Sequence, residues 1–177
     1  MSALKRLSSD NEWYTRAKAI DLILPYIPEG CTKIWEPFLS SDVRDEQYES
    51  VTRLREKGFD VVTKREDFFA SKGAKGAIVV SNPPYYTPKG CRNTKERVIE
   101  RLCEQKRPFA LLLPTYYLQT KSFKRLQDKY GHFSVVIPSF KLQYYKVKNG
   151  KKVKPEKGCS FYTLWLCHRM SSGPLVV

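Results

Sequence analysis

The chain has 177 residues, 41% of them hydrophobic and 13% aromatic, which excludes a disordered polymer and suits a single domain spanning 1–177 with one substantial core. Its 32 Lys and Arg against 18 Asp and Glu leave a formal charge of +14, which favours a polyanionic partner, nucleic acid above all. No apolar run approaches the roughly 20 residues of a membrane span, and the polar opening MSALKRLSSDNEWYTR has no signal-peptide core. An intracellular protein, cytoplasmic or nuclear, is therefore expected.

Ser9 or Asp10 is expected to cap a first helix with apolar positions Ala17, Ile20, Leu24 and Ile27, ended by Pro28-Glu29-Gly30. KIWEPF (33–38) reads as a short strand. VRDEQYESVTRLREKG (43–58) reads as a helix closed by Gly58. FDVVT (59–63) and GAIVVS (76–81) are strands, the second apolar on both faces. A helix over 95–105 follows, then the apolar strand FALLLPT (109–115), and a helix over 121–130 closed by Gly131. FSVVIPS (133–139) and SFYTLWLCH (160–168) are the last two strands, with no helix between them. Asn149-Gly150 inside the intervening Lys-rich segment signals a hairpin turn.

Strands apolar on both faces and alternating with helices imply a mostly parallel α/β sheet covered on both sides. The last two strands should pair antiparallel at its edge. That is the architecture of class I methyltransferases, a Rossmann-like fold. The five cysteines, Cys31, Cys91, Cys103, Cys159 and Cys167, have no CxxC spacing and read as free thiols. His132 and His168 stand alone, so no metal site is expected.

Ligands of open α/β sheets bind beyond the carboxyl ends of the strands. Three notable stretches fall there: WEPF at 35–38, EDFF at 66–69 and SNPPY at 81–85. Their order and spacing resemble S-adenosylmethionine-dependent N6-adenine methyltransferases. An N-terminal NEWYTR (11–16) resembles a motif of the small phage and viral members. The resemblance covers most of the chain, and the tetrapeptide Asn82-Pro83-Pro84-Tyr85 is its most specific part.

The chemistry suits those residues. The exocyclic amine of adenine is a poor nucleophile, because its lone pair is delocalised into the ring. Acceptors on its N–H groups draw charge onto nitrogen. Asn82 supplies a side-chain carbonyl, and the resemblance implies the Pro83 backbone carbonyl as the second acceptor. Pro83 and Pro84 hold these oxygens in place in advance. Tyr85 can stack on a base that is flipped out or already unpaired.

The resemblance further implies S-adenosyl-L-methionine as cofactor. Glu36, Pro37 and Phe38 would lie beside its methionine part, and Asp67 and Phe68 beside its adenine. Tyr14 and Thr15 would close the pocket. Two departures stand out. Leu39-Ser40-Ser41-Asp42 carries none of the family's glycines after the acidic-Pro-Phe turn. Thr63-Lys64-Arg65 replaces the acid that binds the ribose, leaving Glu66 or Asp42 to substitute. A catalytically degenerate, nucleic-acid-binding relative is the alternative these departures raise.

Two basic segments are candidate nucleic-acid contacts: 86–97, with Lys89 and Arg92, and 141–158, with Tyr144, Tyr145, Lys146, Lys148, Lys151 and Lys152. Lysines attract phosphates without reading sequence, and the tyrosines are expected to stack on bases from a protruding β-ribbon. No separate recognition domain fits in this length, so target choice is either limited or supplied by a partner protein. DNA is the favoured substrate and RNA the alternative. A protein glutamine methyltransferase, which shares an Asn-Pro-Pro-Tyr site, is disfavoured by the charge and by the lack of an N-terminal helical domain.

Overall fold

The computed structural model describes residues 13–40, 43–85, 87, 93–148, 151–153 and 159–170, with backbone only for Lys148 and Lys151. Six strands form the central sheet: β2 (Lys33–Trp35), β3 (Asp60–Val62), β4 (Ile78–Ser81), β5 (Phe109–Pro114), β6 (Ser134–Val136) and β9 (Thr163–His168). Their order is β3-β2-β4-β5-β9-β6. The pairs among β3, β2, β4 and β5 are parallel, and β9 runs antiparallel between β5 and β6. A mostly parallel sheet ending in an antiparallel pair is the expected class I methyltransferase architecture. β4 and β5 are buried along their whole length, because helices cover both faces.

One face carries α1 (Ala17–Ile23) and α2 (Glu49–Glu56), packed on Ile34, Val80, Ala110 and Trp165. The other carries α3 (Thr94–Glu104) and α4 (Lys121–Tyr130), packed on Val79, Phe109, Leu111 and Leu166. Asn93 caps α3 by accepting from the Lys95 amide, and Thr120 caps α4 by accepting from that of Phe123. No described helix is long and apolar enough to cross a membrane.

Three expectations need correction. The first helix begins at Ala17, because Tyr14–Thr15 is extended as β1. The expected helix over 43–58 breaks at Tyr48 into a 3-10 turn (Asp45–Gln47) and α2. The Tyr145 hydroxyl enforces that break, donating to the Gln47 carbonyl at 2.7 Å and accepting from the Glu49 amide at 3.0 Å. The Lys-rich ribbon, β7 (Tyr144–Lys148) and β8 (Lys151–Val153), does not stand free. It pairs with β1 in a second, antiparallel sheet, β1-β7-β8, with Tyr14 opposite Tyr145 and Thr15 opposite Tyr144. The Ser9 or Asp10 cap and the Asn149-Gly150 turn lie outside the described residues.

Candidate active site

SNPPY leaves the carboxyl end of β4, and four separate elements hold it. The Ser81 hydroxyl donates to Glu36 Oε1, just beyond β2. Asn82 Nδ2 donates to the Trp13 carbonyl, preceding β1, at 2.9 Å. The Tyr85 hydroxyl donates to the Leu112 carbonyl of β5 at 2.9 Å, and Lys95 Nζ of α3 donates to the Tyr85 carbonyl at 2.9 Å. The sheet brings Glu36 and Asn82 together because β2 and β4 are parallel neighbours.

The Asn82 bond decides the orientation of its amide. The Trp13 carbonyl can only accept, so it selects the nitrogen and turns Oδ1 the other way. That Oδ1 is buried and takes no hydrogen bond from the described residues. A buried acceptor without a donor costs about 1–3 kcal/mol and calls for an explanation. Thr15 Oγ1, on the same N-terminal strand, is a second buried atom in this condition.

Glu36 is 4% exposed, and burial pushes its carboxyl up to about 8 despite hydrogen bonds from Ser81 and the Phe38 amide. No cation pairs with it among the described residues, so at neutral pH it largely keeps its proton. Burial, with the neighbouring Tyr144 hydroxyl, holds the Tyr85 phenol well above its ordinary value, so it stays a donor. Its ring meets Phe161 edge-on at 5.6 Å. Lys95 is buried, which lowers its pKa, and it fixes the Tyr85 backbone from behind.

Other expected positions fare differently. Phe68 is 1% exposed, stacked on Trp35 at 5.6 Å and tilted against Phe38 at 4.8 Å. Its ring belongs to the core and offers no face to a cofactor; Phe38 and Phe69 beside it are half-buried. Asp67 Oδ1 accepts from the Phe69 amide, closing a turn. Pro37 is buried. The Tyr14 ring packs against Tyr48 and Tyr145, at 5.2 and 5.4 Å, while Thr15 is buried with no hydrogen-bond partner for its hydroxyl among the described residues.

The ribbon also departs from expectation. Tyr144 and Tyr145, expected to stack on nucleic acid, are 5% and 0% exposed. The two rings project to opposite faces of β7 and both are covered, Tyr144 beside Trp13 and Tyr145 stacked on Tyr14. The Tyr144 hydroxyl donates to Thr163 Oγ1 at 2.8 Å, in the layer that supports Tyr85. Lys152 pairs with Glu49 at 3.4 Å, and Lys146 Nζ lies 5.0 Å from the Trp13 ring centre. Lys148 and Lys151 face each other across the ribbon backbone. Lys89 and Arg92 lie outside the described residues.

The two departures meet in one cluster. Asp45 accepts from Thr63 Oγ1, Arg55 and Arg65, which hold its carboxyl below the usual range against the opposing effect of burial. Arg65 also donates to the Ser40 and Val43 carbonyls, and the Tyr48 hydroxyl accepts from the Ser40 amide at 2.7 Å. The loop that lacks glycines is thus clamped to the strand end that lacks the ribose acid. Glu66 accepts from Ser71 at 2.7 Å, and Asp42 lies outside the described residues.

No protein-family model matches the chain, and no curated protein matches it in sequence. Solved structures are similar to it at low identity. A tRNA (m1A58) methyltransferase from Aquifex aeolicus is 15% identical over 89% of this chain and 68% of its own, with a TM-score of 0.45. A SAM-dependent O-methyltransferase from Thermotoga maritima is 14% identical over 85% and 63%, with a TM-score of 0.43. A precorrin-6y C5,15-methyltransferase from Geobacter metallireducens is 12% identical over 92% and 98%, with a TM-score of 0.42.

Sequence reasoning missed the Trp13 carbonyl, Lys95 and the Leu112 carbonyl as holders of SNPPY. Two of them are backbone atoms, which carry no residue-type signal. Lys95 sits among other basic residues that look like solvated charge.

Proposed function

We propose that the chain is an S-adenosylmethionine-dependent methyltransferase acting on the exocyclic N6 of adenine in nucleic acid, with DNA favoured over RNA. One observation carries the reading: the amide of Asn82 is pinned through its nitrogen, and its buried oxygen is left as an unused acceptor. Such an oxygen suits an incoming N–H and little else. The Pro83 carbonyl supplies the second acceptor. Together they draw charge onto the amine without rearranging, since the prolines and four anchoring bonds already fix the backbone. Tyr85, held by its hydroxyl, presents a fixed ring beside the base.

The methionine end of the cofactor fits what is present. Glu36 is a buried carboxyl with no cation beside it among the described residues, and an ammonium placed there would let it ionise. When bound, the cofactor supplies an electrophilic methyl. Asn82 and Pro83 orient the amine toward it, and the amine's surplus proton leaves to solvent after transfer. The test is methyl transfer from labelled S-adenosylmethionine to duplex DNA, single-stranded DNA and RNA, with products digested to nucleosides. N6-methyladenosine or its deoxy form is expected; its absence from every arm refutes the reading.

A second reading, a non-catalytic nucleic-acid-binding relative, is favoured by the Asp45 cluster. Thr63, Arg55 and Arg65 already engage the carboxylate nearest the missing ribose acid. Calorimetry with S-adenosylmethionine separates the two: the enzyme binds it, the relative does not.

A further inference from the structure

The antiparallel course of β9 puts its first residues at the same sheet edge as the last residues of β4 and β5. Thr163 pairs with Pro114, and the Thr115 amide donates to the Tyr162 carbonyl at 2.9 Å. This joins two short aromatic segments, Tyr116 after β5 and Phe161-Tyr162 before β9. A row of rings results. Tyr85 meets Phe161 edge-on at 5.6 Å, and Phe161 meets Tyr116 edge-on at 6.5 Å. The row runs outward from SNPPY and ends at Tyr116, with Tyr162 following Phe161 in the chain. Tyr116 is 51% exposed and Tyr162 60% exposed, the two largest exposures among the large hydrophobic side chains described. Lys141 Nζ lies 5.3 Å from the Tyr162 ring centre.

We propose that Tyr116 and Tyr162, with Lys141, form a stacking platform for unpaired nucleobases flanking the target base. This rests on the nucleic-acid reading of the same site and makes it specific: the strand that enters is single-stranded or locally opened. Exposed rings cost solvation unless a flat partner covers them, and every base has a face that can do so. Bases inside a duplex have both faces already covered by their neighbours, so a duplex would leave these rings unused. Lys141 adds a cation where a backbone phosphate would run, in keeping with the net charge of +14. The ribbon tyrosines cannot serve, because both are buried.

Fluorescence anisotropy with labelled oligomers tests this without any methyl donor. The probes are single-stranded DNA and RNA around a central adenine, the same DNA made abasic at the flanking positions, and a polyglutamate peptide. The Tyr116→Leu/Tyr162→Leu double variant should lose about thirtyfold or more in affinity for the base-bearing strands. It should bind the abasic strand as the unaltered protein does, and Tyr116→Phe/Tyr162→Phe should retain full affinity. Unchanged binding of the Leu variant, an equal loss on the abasic strand, or an equal loss on polyglutamate overturns the platform. If the Leu variant does not unfold cooperatively, the unaltered protein decides alone: it must prefer the base-bearing strand over the abasic one by the same factor. Failure of methyl transfer with the platform intact would count against the proposed enzyme and not against this surface.

Discussion

Replacing Glu36 with Gln keeps the shape of a buried side chain and removes its ionisation. The carboxyl has a folded value of about 8 against 4.5 for the free group. A raised value means the folded state holds the proton more tightly. The stabilisation is complete below pH 4.5 and is lost as pH rises through 8. One pKa unit corresponds to about 1.4 kcal/mol, so the loss runs at about 1.4 kcal/mol per pH unit in the middle of that window and, because the slope flattens at both ends, amounts to about 4 kcal/mol between pH 5 and pH 8. The Gln variant lacks this slope while sharing every other titration. Urea unfolding of both proteins at pH 5.5, 6.5 and 7.5 measures the difference: the two stability curves should diverge with pH, in favour of Gln. Parallel curves would show that Glu36 does not hold its proton in the folded protein, and would remove the reason for a cationic ligand beside it.

Asn82→Ala should lower methyl transfer by about a hundredfold or more, the scale of losing one preorganised hydrogen-bonding group, with cofactor affinity by calorimetry unchanged; transfer at the original rate would reject the acceptor role. Tyr145→Phe strips the Gln47 carbonyl and the Glu49 amide of their shared partner, and chemical denaturation should show a loss of about 1–3 kcal/mol. Gly73 has φ +70°, and a Cβ there would sit 2.6 Å from the Trp35 ring. Gly73→Ala should therefore cost about 1–3 kcal/mol in the same assay.

The central sheet was legible because uniformly apolar runs such as AIVV and FALLL suit strands covered on both faces. The helix over 121–130 was legible from its cap, periodicity and closing glycine, all of them local. The second sheet was not. Tyr14–Thr15 is two residues long, and its strand character comes from Tyr144 and Tyr145 near the other end of the chain. For the same reason the two ribbon tyrosines looked like exposed rings among lysines, when the pairing turns them into core. At the site, the tetrapeptide was visible from its chemistry. Phe68 was not separable from a cofactor-facing ring, since an aromatic after Asp reads the same whether it packs on Trp35 or on a ligand.

The bond from Asn82 to Trp13 has a consequence for the order in which this site is assembled. The carbonyl that aims this side chain belongs to a strap held by β7, which is made late, and Tyr85 hangs from β5, whose other neighbour β9 is made later still. A chain emerging from the ribosome carries all of SNPPY well before anything can orient it. The anchors of Asn82 and Tyr85 are therefore completed together, when the last strands close.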